Sequence, residues 1–301
     1  MQFMALHLVA TGLENIDMPS IDTGSVSLLE AKDSWGRTPL HWAAIRRDAN
    51  MVARLINAGA NPQPSAFGGD TPLHLIAWGQ ETETSLQCTR FLLLRDADPN
   101  AYNLYGQTPL HAATWEQRTP HTFVKMLLEN GASIDQKDVY GSTPLHQAII
   151  GGSDANVEFL IQQGADVELK DAMGRTSLLR AVRHNKSNIV QLLLRHKAKL
   201  NAVSSRREGV LHYLAKFGGV EIMKSVAECQ MAVACEERVD LELRDLDGHN
   251  AWDCFEQCRE YAPGEDLLAN RTEEHAVRDL LRGLMSRSIT TVVDEVRYLN
   301  F

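Results

Sequence analysis

No run of residues in this chain approaches the roughly 18 consecutive apolar positions that a membrane-spanning helix needs. The first ten residues, Met1 to Ala10, also lack the basic start of a secretory signal, and their short apolar run suits a buried helix face. Five cysteines are present: Cys88, Cys229, Cys235, Cys254 and Cys258. An odd set without tight spacing is not a disulfide framework and suits a reducing compartment, the cytoplasm or the nucleus. Phosphate-cradling glycine loops are missing, both Gly-x-Gly-x-x-Gly and the Walker type, as is the Gly-x-Ser-x-Gly of a serine nucleophile. With no recognisable pairing of nucleophile and base, nothing supports an enzyme, and no cofactor is expected. A surplus of positive charge is absent too. The formal net charge is −9, and an acidic chain is a poor binder of nucleic acid, which needs basic contacts to phosphate.

What is present is repetition. At 301 residues the chain is long for a single core, so two domains or a repeat array are the options. Hydrophobic content of 44% and charged content of 23% are those of an ordinary folded protein. Thr-Pro-Leu-His starts at Thr38, Thr71, Thr108 and Thr143, at intervals of 33, 37 and 35 residues. Variants of it follow at Thr176, Gly209 and Asn250, and Met4-Ala5-Leu6-His7 lies upstream. A glycine stands two residues before most copies: Gly36, Gly69, Gly106, Gly141, Gly174 and Gly248. Leucine clusters and Gly-Ala pairs recur further on, as in Leu127-Leu128 and Gly131-Ala132.

These residues predict local structure. Proline suits the first turn of a helix, where its missing N–H is not needed. The preceding threonine is a good N-cap. The upstream glycine allows a turn with positive φ, and Gly-Ala closes a second helix. Each unit is then a turn, a helix, a loop and a helix, which buries its apolar face only when stacked.

The Thr-Pro-Leu-His signature at a period near 33 resembles the ankyrin-repeat family. The stretch Leu40 to Asp48 resembles arrays common in filamentous fungi. The resemblance implies an all-α fold, an ankyrin-repeat solenoid of stacked helix–turn–helix units with β-turn fingers. Six repeats are expected over 33–244, a degenerate seventh over 245–260, an N-terminal capping unit over 1–32 and a C-terminal helical cap over 261–301. Extra residues fall in repeats two, three and six.

Resemblance also implies that the recurring histidines, His41, His74, His111, His146 and His212, tie neighbouring turns by hydrogen bonds. One histidine per repeat places neighbours about 10 Å apart, too far to share a metal. Cys254 and Cys258 stand four apart near His249, with Cys229 and Cys235 one repeat earlier. Without a Cys-x-x-Cys they read as small buried hydrophobes, and no metal site is expected. Asn100 and Asn201 hold the loop position that similar proteins can present for hydroxylation.

In ankyrin-like stacks the turn tips and first helices line a groove for a protein or peptide partner. On that mapping Trp35, Trp42, Trp78, Tyr105, Trp115 and Tyr140 face the groove, as aromatic anchors over repeats one to three and beyond. From Ala172 to Arg207 there is no acidic residue and there are nine basic ones, which leaves −18 for the rest of the chain. Arg175, Arg180, Arg183 and His184 map to the groove in repeat five, where they suit acidic or phosphorylated residues of a partner. Other readings stay open at this point: aromatics that stiffen the stack, a solvated basic face, a regulatory segment of a larger signalling protein or enzyme, and a binder of phosphate-bearing ligands.

Overall fold

The computed structural model describes residues 26–115, 122–231, 239–261 and 271–285. Most of the expected N-terminal cap, with Met4 to His7, lies outside the described residues, as does Cys235. The chain divides into two compact units, Met1–Phe159 and Leu160–Phe301.

In the first unit the helices are α1 Val26–Leu29, α2 Pro39–Arg46, α3 Ala49–Asn57, α4 Pro72–Ala77, α5 Glu83–Leu93, α6 Pro109–Thr114, α7 Thr122–Glu129 and α8 Pro144–Gly151. Helix α9, Asp154–Gln162, runs across the boundary. The second unit holds α10 Ser177–Arg183, α11 Ser187–Arg195, α12 Val210–Phe217, α13 Val220–Met231, α14 Ala251–Tyr261 and α15 Arg271–Met285. No strand occurs among the described residues.

First helices pack on first helices and second on second. In the first unit α2, α4, α6 and α8 form one layer, and α3, α5 and α7 the other. In the second unit α10, α12 and α14 form one layer, and α11 and α13 the other. The leucine of the repeated motif is the shared core position. Leu40, Leu73, Leu110 and Leu145 in one unit, and Leu178 and Leu211 in the other, are at most 2% exposed. Each contributes about 2 kcal/mol by leaving water. Helix α15 lays Val277, Leu280, Leu281 and Leu284 inward and packs on α13.

Threonine is the N-cap of these first helices, in a capping box with the histidine three residues on. Its hydroxyl also lies 2.9–3.0 Å from the Nδ1 of that histidine. Thr143 accepts from the His146 amide at 3.4 Å. The threonine N–H donates to the same Nδ1, at 3.0 Å in Thr38–His41 and 3.1 Å in Thr108–His111. Because Nδ1 accepts, the neutral ring carries its proton on Nε2. That nitrogen donates to a carbonyl of the next repeat: His41 to Asp70 at 3.0 Å, His74 to Gln107 at 2.9 Å, His111 to Ser142 at 3.0 Å. His212 does the same to His249 at 3.1 Å.

Burial pushes His41 down to about 4 from its ordinary 6.5, against the opposing pull of its bond to the Asp70 carbonyl. Burial lowers His74 and His111 as well. Between about pH 6.5 and about pH 4 the unfolded chain therefore binds protons that the folded chain refuses. Stability is full above that window and falls as the pH drops through it. His41 alone contributes about 3 kcal/mol to this loss. Urea midpoints measured from about pH 7.5 to about pH 4.5 should decline steadily; a flat profile contradicts the buried neutral rings.

Candidate partner-binding surface

Each finger is a four-residue turn closed at its base. Asp33 donates its amide to the Arg37 carbonyl and accepts the Gly36 amide, both at 3.0 Å. Its carboxylate Oδ1 then accepts the amides of Trp35 at 2.9 Å and Arg37 at 2.8 Å. The same two-amide clamp is made by Asn103, Asp138, Asp171 and Asp245, and more loosely by the Ser204 hydroxyl at 3.3 Å. Sequence reasoning missed these residues. The available signal was an Asp or Asn three residues before the turn glycine, at 33, 103, 138, 171 and 245.

The glycine seats are real. Gly69 has φ of +80°, and a Cβ there would lie 2.8 Å from the Asn103 Cα of the next finger. Neighbouring fingers are joined through their backbones. Phe67 donates to Trp35, Leu104 to Gly68 and Val139 to Tyr105, each at 3.0 Å. In the second unit Ser205 donates to Met173 at 2.9 Å and Leu246 to Arg206 at 3.0 Å.

A second pattern runs nine residues on from the finger base, at the position right after the fourth residue of the motif. Where the base has a spare carboxylate oxygen, that position supplies a donor to it. Trp42 Nε1 donates to Asp33 Oδ2 at 2.9 Å and Gln147 to Asp138 Oδ2 at 3.2 Å. Arg180 donates to Asp171 Oδ2 at 3.2 Å, and the Cys254 thiol lies 3.7 Å from Asp245 Oδ2. Where the base is Ala66 or Asn103, the position is apolar, Leu75 or Ala112.

This pattern corrects several expected groove residues. Trp42 is half-buried and spent on Asp33. Arg180 is buried, and Arg175 binds the same Asp171 carboxylate at 2.8 Å with its side chain 11% exposed. Burial alone would raise the Asp171 carboxyl, but hydrogen bonds from Arg175 and the charges of Arg175 and Arg180 outweigh it and hold it low. Tyr213, nine residues on from the Ser204 base, is buried too. These side chains hold the fingers.

The tips stay open to solvent. In the first unit Trp35, Phe67, Leu104, Tyr105, Val139 and Tyr140 are 57–73% exposed. Arg37 stacks on both Trp35 and Trp42, at 5.3 and 5.2 Å from the ring centres. Trp78 and Trp115 sit at the C-terminal ends of α4 and α6 and are partly open. In the second unit Arg183 and His184 are exposed at the end of α10, with Arg183 stacked 5.0 Å over Phe217. Burial, then Arg180, Arg183, Arg175 and Lys186, lower the His184 ring, so that corner is electropositive.

His212, Asp245 and Cys254 offer ligand atoms within 4.8 Å of one another. Those groups already serve the fold. His212 Nδ1 accepts from Gly209 and Nε2 donates to His249, while burial pushes the Cys254 thiol up to about 11.

A family model described as ankyrin repeats (3 copies) matches residues 17–103, 65–138, 81–171, 120–204 and 156–245. Ankyrin repeat, SAM and basic leucine zipper domain-containing protein 1 from Callithrix jacchus, and the same protein from Saimiri boliviensis boliviensis, are each 36% identical over 96 residues. That span is 31% of this chain and 19% of each relative, so the chain matches about a fifth of their length. The crystal structure of the ankyrin repeat domain of Bcl-3, a unique member of the IkappaB protein family, is similar with a TM-score of 0.61 and 27% identity. The likeness covers 82% of this chain and 99% of that one. The fold is an all-α ankyrin solenoid.

Replacing Asp171 with alanine removes the carboxylate from buried Arg180 and should cost about 3 kcal/mol in urea unfolding. Adding Arg180→Leu to that variant should recover part of the loss. A cost under about 1 kcal/mol would show that the clamp does not hold the finger.

Proposed function

Since the chain belongs to the ankyrin-repeat family, we propose that it is a non-catalytic protein–protein interaction module, an adaptor or scaffold, working in the cytoplasm or nucleus. Ankyrin repeats are in general protein-binding units. One observation carries the reading for this chain. The first unit holds a row of fingertips that are apolar and exposed: Trp35, Phe67, Leu104 with Tyr105, and Val139 with Tyr140. Backbone hydrogen bonds fix each tip to the next, so the row is presented rigidly. Rigid aromatic side chains lose little entropy on binding and are the usual anchors of an interface. Large apolar side chains gathered on turn tips do nothing for the core, which is filled by the motif leucines.

The partner would bring an apolar or aromatic surface to the first unit, with Trp78 and Trp115 as further contacts. Acidic or phosphorylated residues would meet Arg183 and His184 in the second. Arg175 and Arg180 would act there through Asp171 and not by direct contact. A second reading, a regulatory segment within a larger signalling protein, is favoured by the sequence relatives, whose matched portion is 19% of their length.

Parallel affinity captures with the wild-type chain and with Trp35→Ala, Tyr105→Ala and Tyr140→Ala test the proposal. A specific partner should bind about tenfold more weakly to each variant. Unfolding stability should stay within about 0.5 kcal/mol. Unchanged affinity for a verified partner in all three variants overturns the fingertip assignment.

A further inference from the structure

One finger departs from the others. Finger six reads Ser204-Ser205-Arg206-Arg207, and Arg207 takes the seat held by glycine in the other fingers. Its φ is +60°, beside +73° at Gly36, +70° at Gly106 and +72° at Gly174. A side chain with a Cβ is strained in that conformation, and glycine is not. The other non-glycine residues at positive φ among those described are Arg47, Asp96, Asn185 and Lys197. All four stand at helix C-termini, where a left-handed stop is customary. Arg207 ends no helix. The finger is nonetheless intact, since Arg207 donates to Ser204 at 2.9 Å and Leu246 donates to Arg206 at 3.0 Å.

The stretch that leads to this tip carries charge of one sign. No acid occurs from Ala172 to Arg207. The carboxylates that flank the stretch are occupied: Asp171 by Arg175 and Arg180, and buried Glu208 by Lys216 at 2.6 Å. Arg206 meets Asp247 of the next tip at 2.6 Å, with both side chains more than half exposed. Arg207 is exposed, and no carboxylate pairs with it among the described residues.

We infer that finger six is a docking point for a carboxylate-rich segment of the protein partner, gripped by the exposed guanidinium of Arg207 with Arg206 beside it. The inference rests on the interaction-module reading and names the chemistry of one contact. Adjacent guanidinium forks match carboxylates. A chain of net charge −9 repels an acidic segment over most of its surface, so a single basic tip also fixes where that segment lands. The same net charge disfavours a nucleic acid, which needs positive charge along its whole track.

The full chain is titrated into a fluorescein-labelled oligoglutamate peptide of about ten residues, followed by anisotropy from about 50 to about 200 mM salt. A single-stranded oligothymidine of similar charge is the second probe. Arg207→Gly should weaken peptide binding about fivefold while leaving the melting temperature equal or higher, because glycine suits the seat better. Arg207→Lys should stay within about twofold of wild type. Several outcomes overturn the inference: no salt-sensitive peptide binding, undiminished binding by Arg207→Gly, a lowered melting temperature in that variant, or tighter binding of the oligothymidine. The first-unit tips Trp35, Tyr105 and Tyr140 take no part in this assay, so its failure leaves the fingertip row standing.

Discussion

A buried neutral imidazole is the interaction on which the rest of the structure depends. The rings of His41, His74 and His111 each accept from the threonine amide of their own turn and donate across to the next repeat, and His212 does the same from the Gly209 amide. That single side chain sets the start of its helix and the distance to the neighbouring finger at once. The arrangement needs the ring uncharged, and burial enforces it. It also removes these histidines from any chemistry, since both nitrogens are used.

With helices and fingers registered in this way, the fold divides its polar residues from its exposed ones. Except at Ala66, the finger base holds an Asp, Asn or Ser whose side chain closes the turn from below. A donor nine residues on takes up the second carboxylate oxygen, whether tryptophan, glutamine or arginine. The large side chains of the tip above stay outside the core. In the first unit it carries tryptophan, phenylalanine and tyrosine; in finger six of the second it carries arginine. Within one finger the same residue type can fall on either side of this division. Trp35 is 59% exposed, whereas Trp42 is hydrogen-bonded to the base of the same finger.

The fold was legible because its signals are local and repeated. Proline at the first helical turn, glycine in the turn and the core leucine each have a conformational reason visible in the chain. The candidate surface was legible only in part. Trp35, Tyr105 and Tyr140 lie next to the turn glycine, so their exposure follows from turn geometry. Arg180 and Trp42 could not be placed by spacing alone, because their direction is set by a carboxylate nine residues away that pattern reasoning had not singled out. The basic stretch was visible as charge, but which of its arginines are neutralised depends on Asp171, one residue outside it. Cys254 shows the same limit: a thiol near histidine in sequence proves to be a weak donor to a finger base.

The central claim is that the exposed fingertips serve recognition and not the stability of the stack. Exchanging Trp35, Phe67, Tyr105 and Tyr140 for serine together, and measuring the unfolding free energy in urea, tests it most directly. The account predicts a change within about 1 kcal/mol for the whole set, because none of these side chains fills the core. A loss of about 4 kcal/mol or more would mean that the tips pack the fingers against one another, and would contradict it.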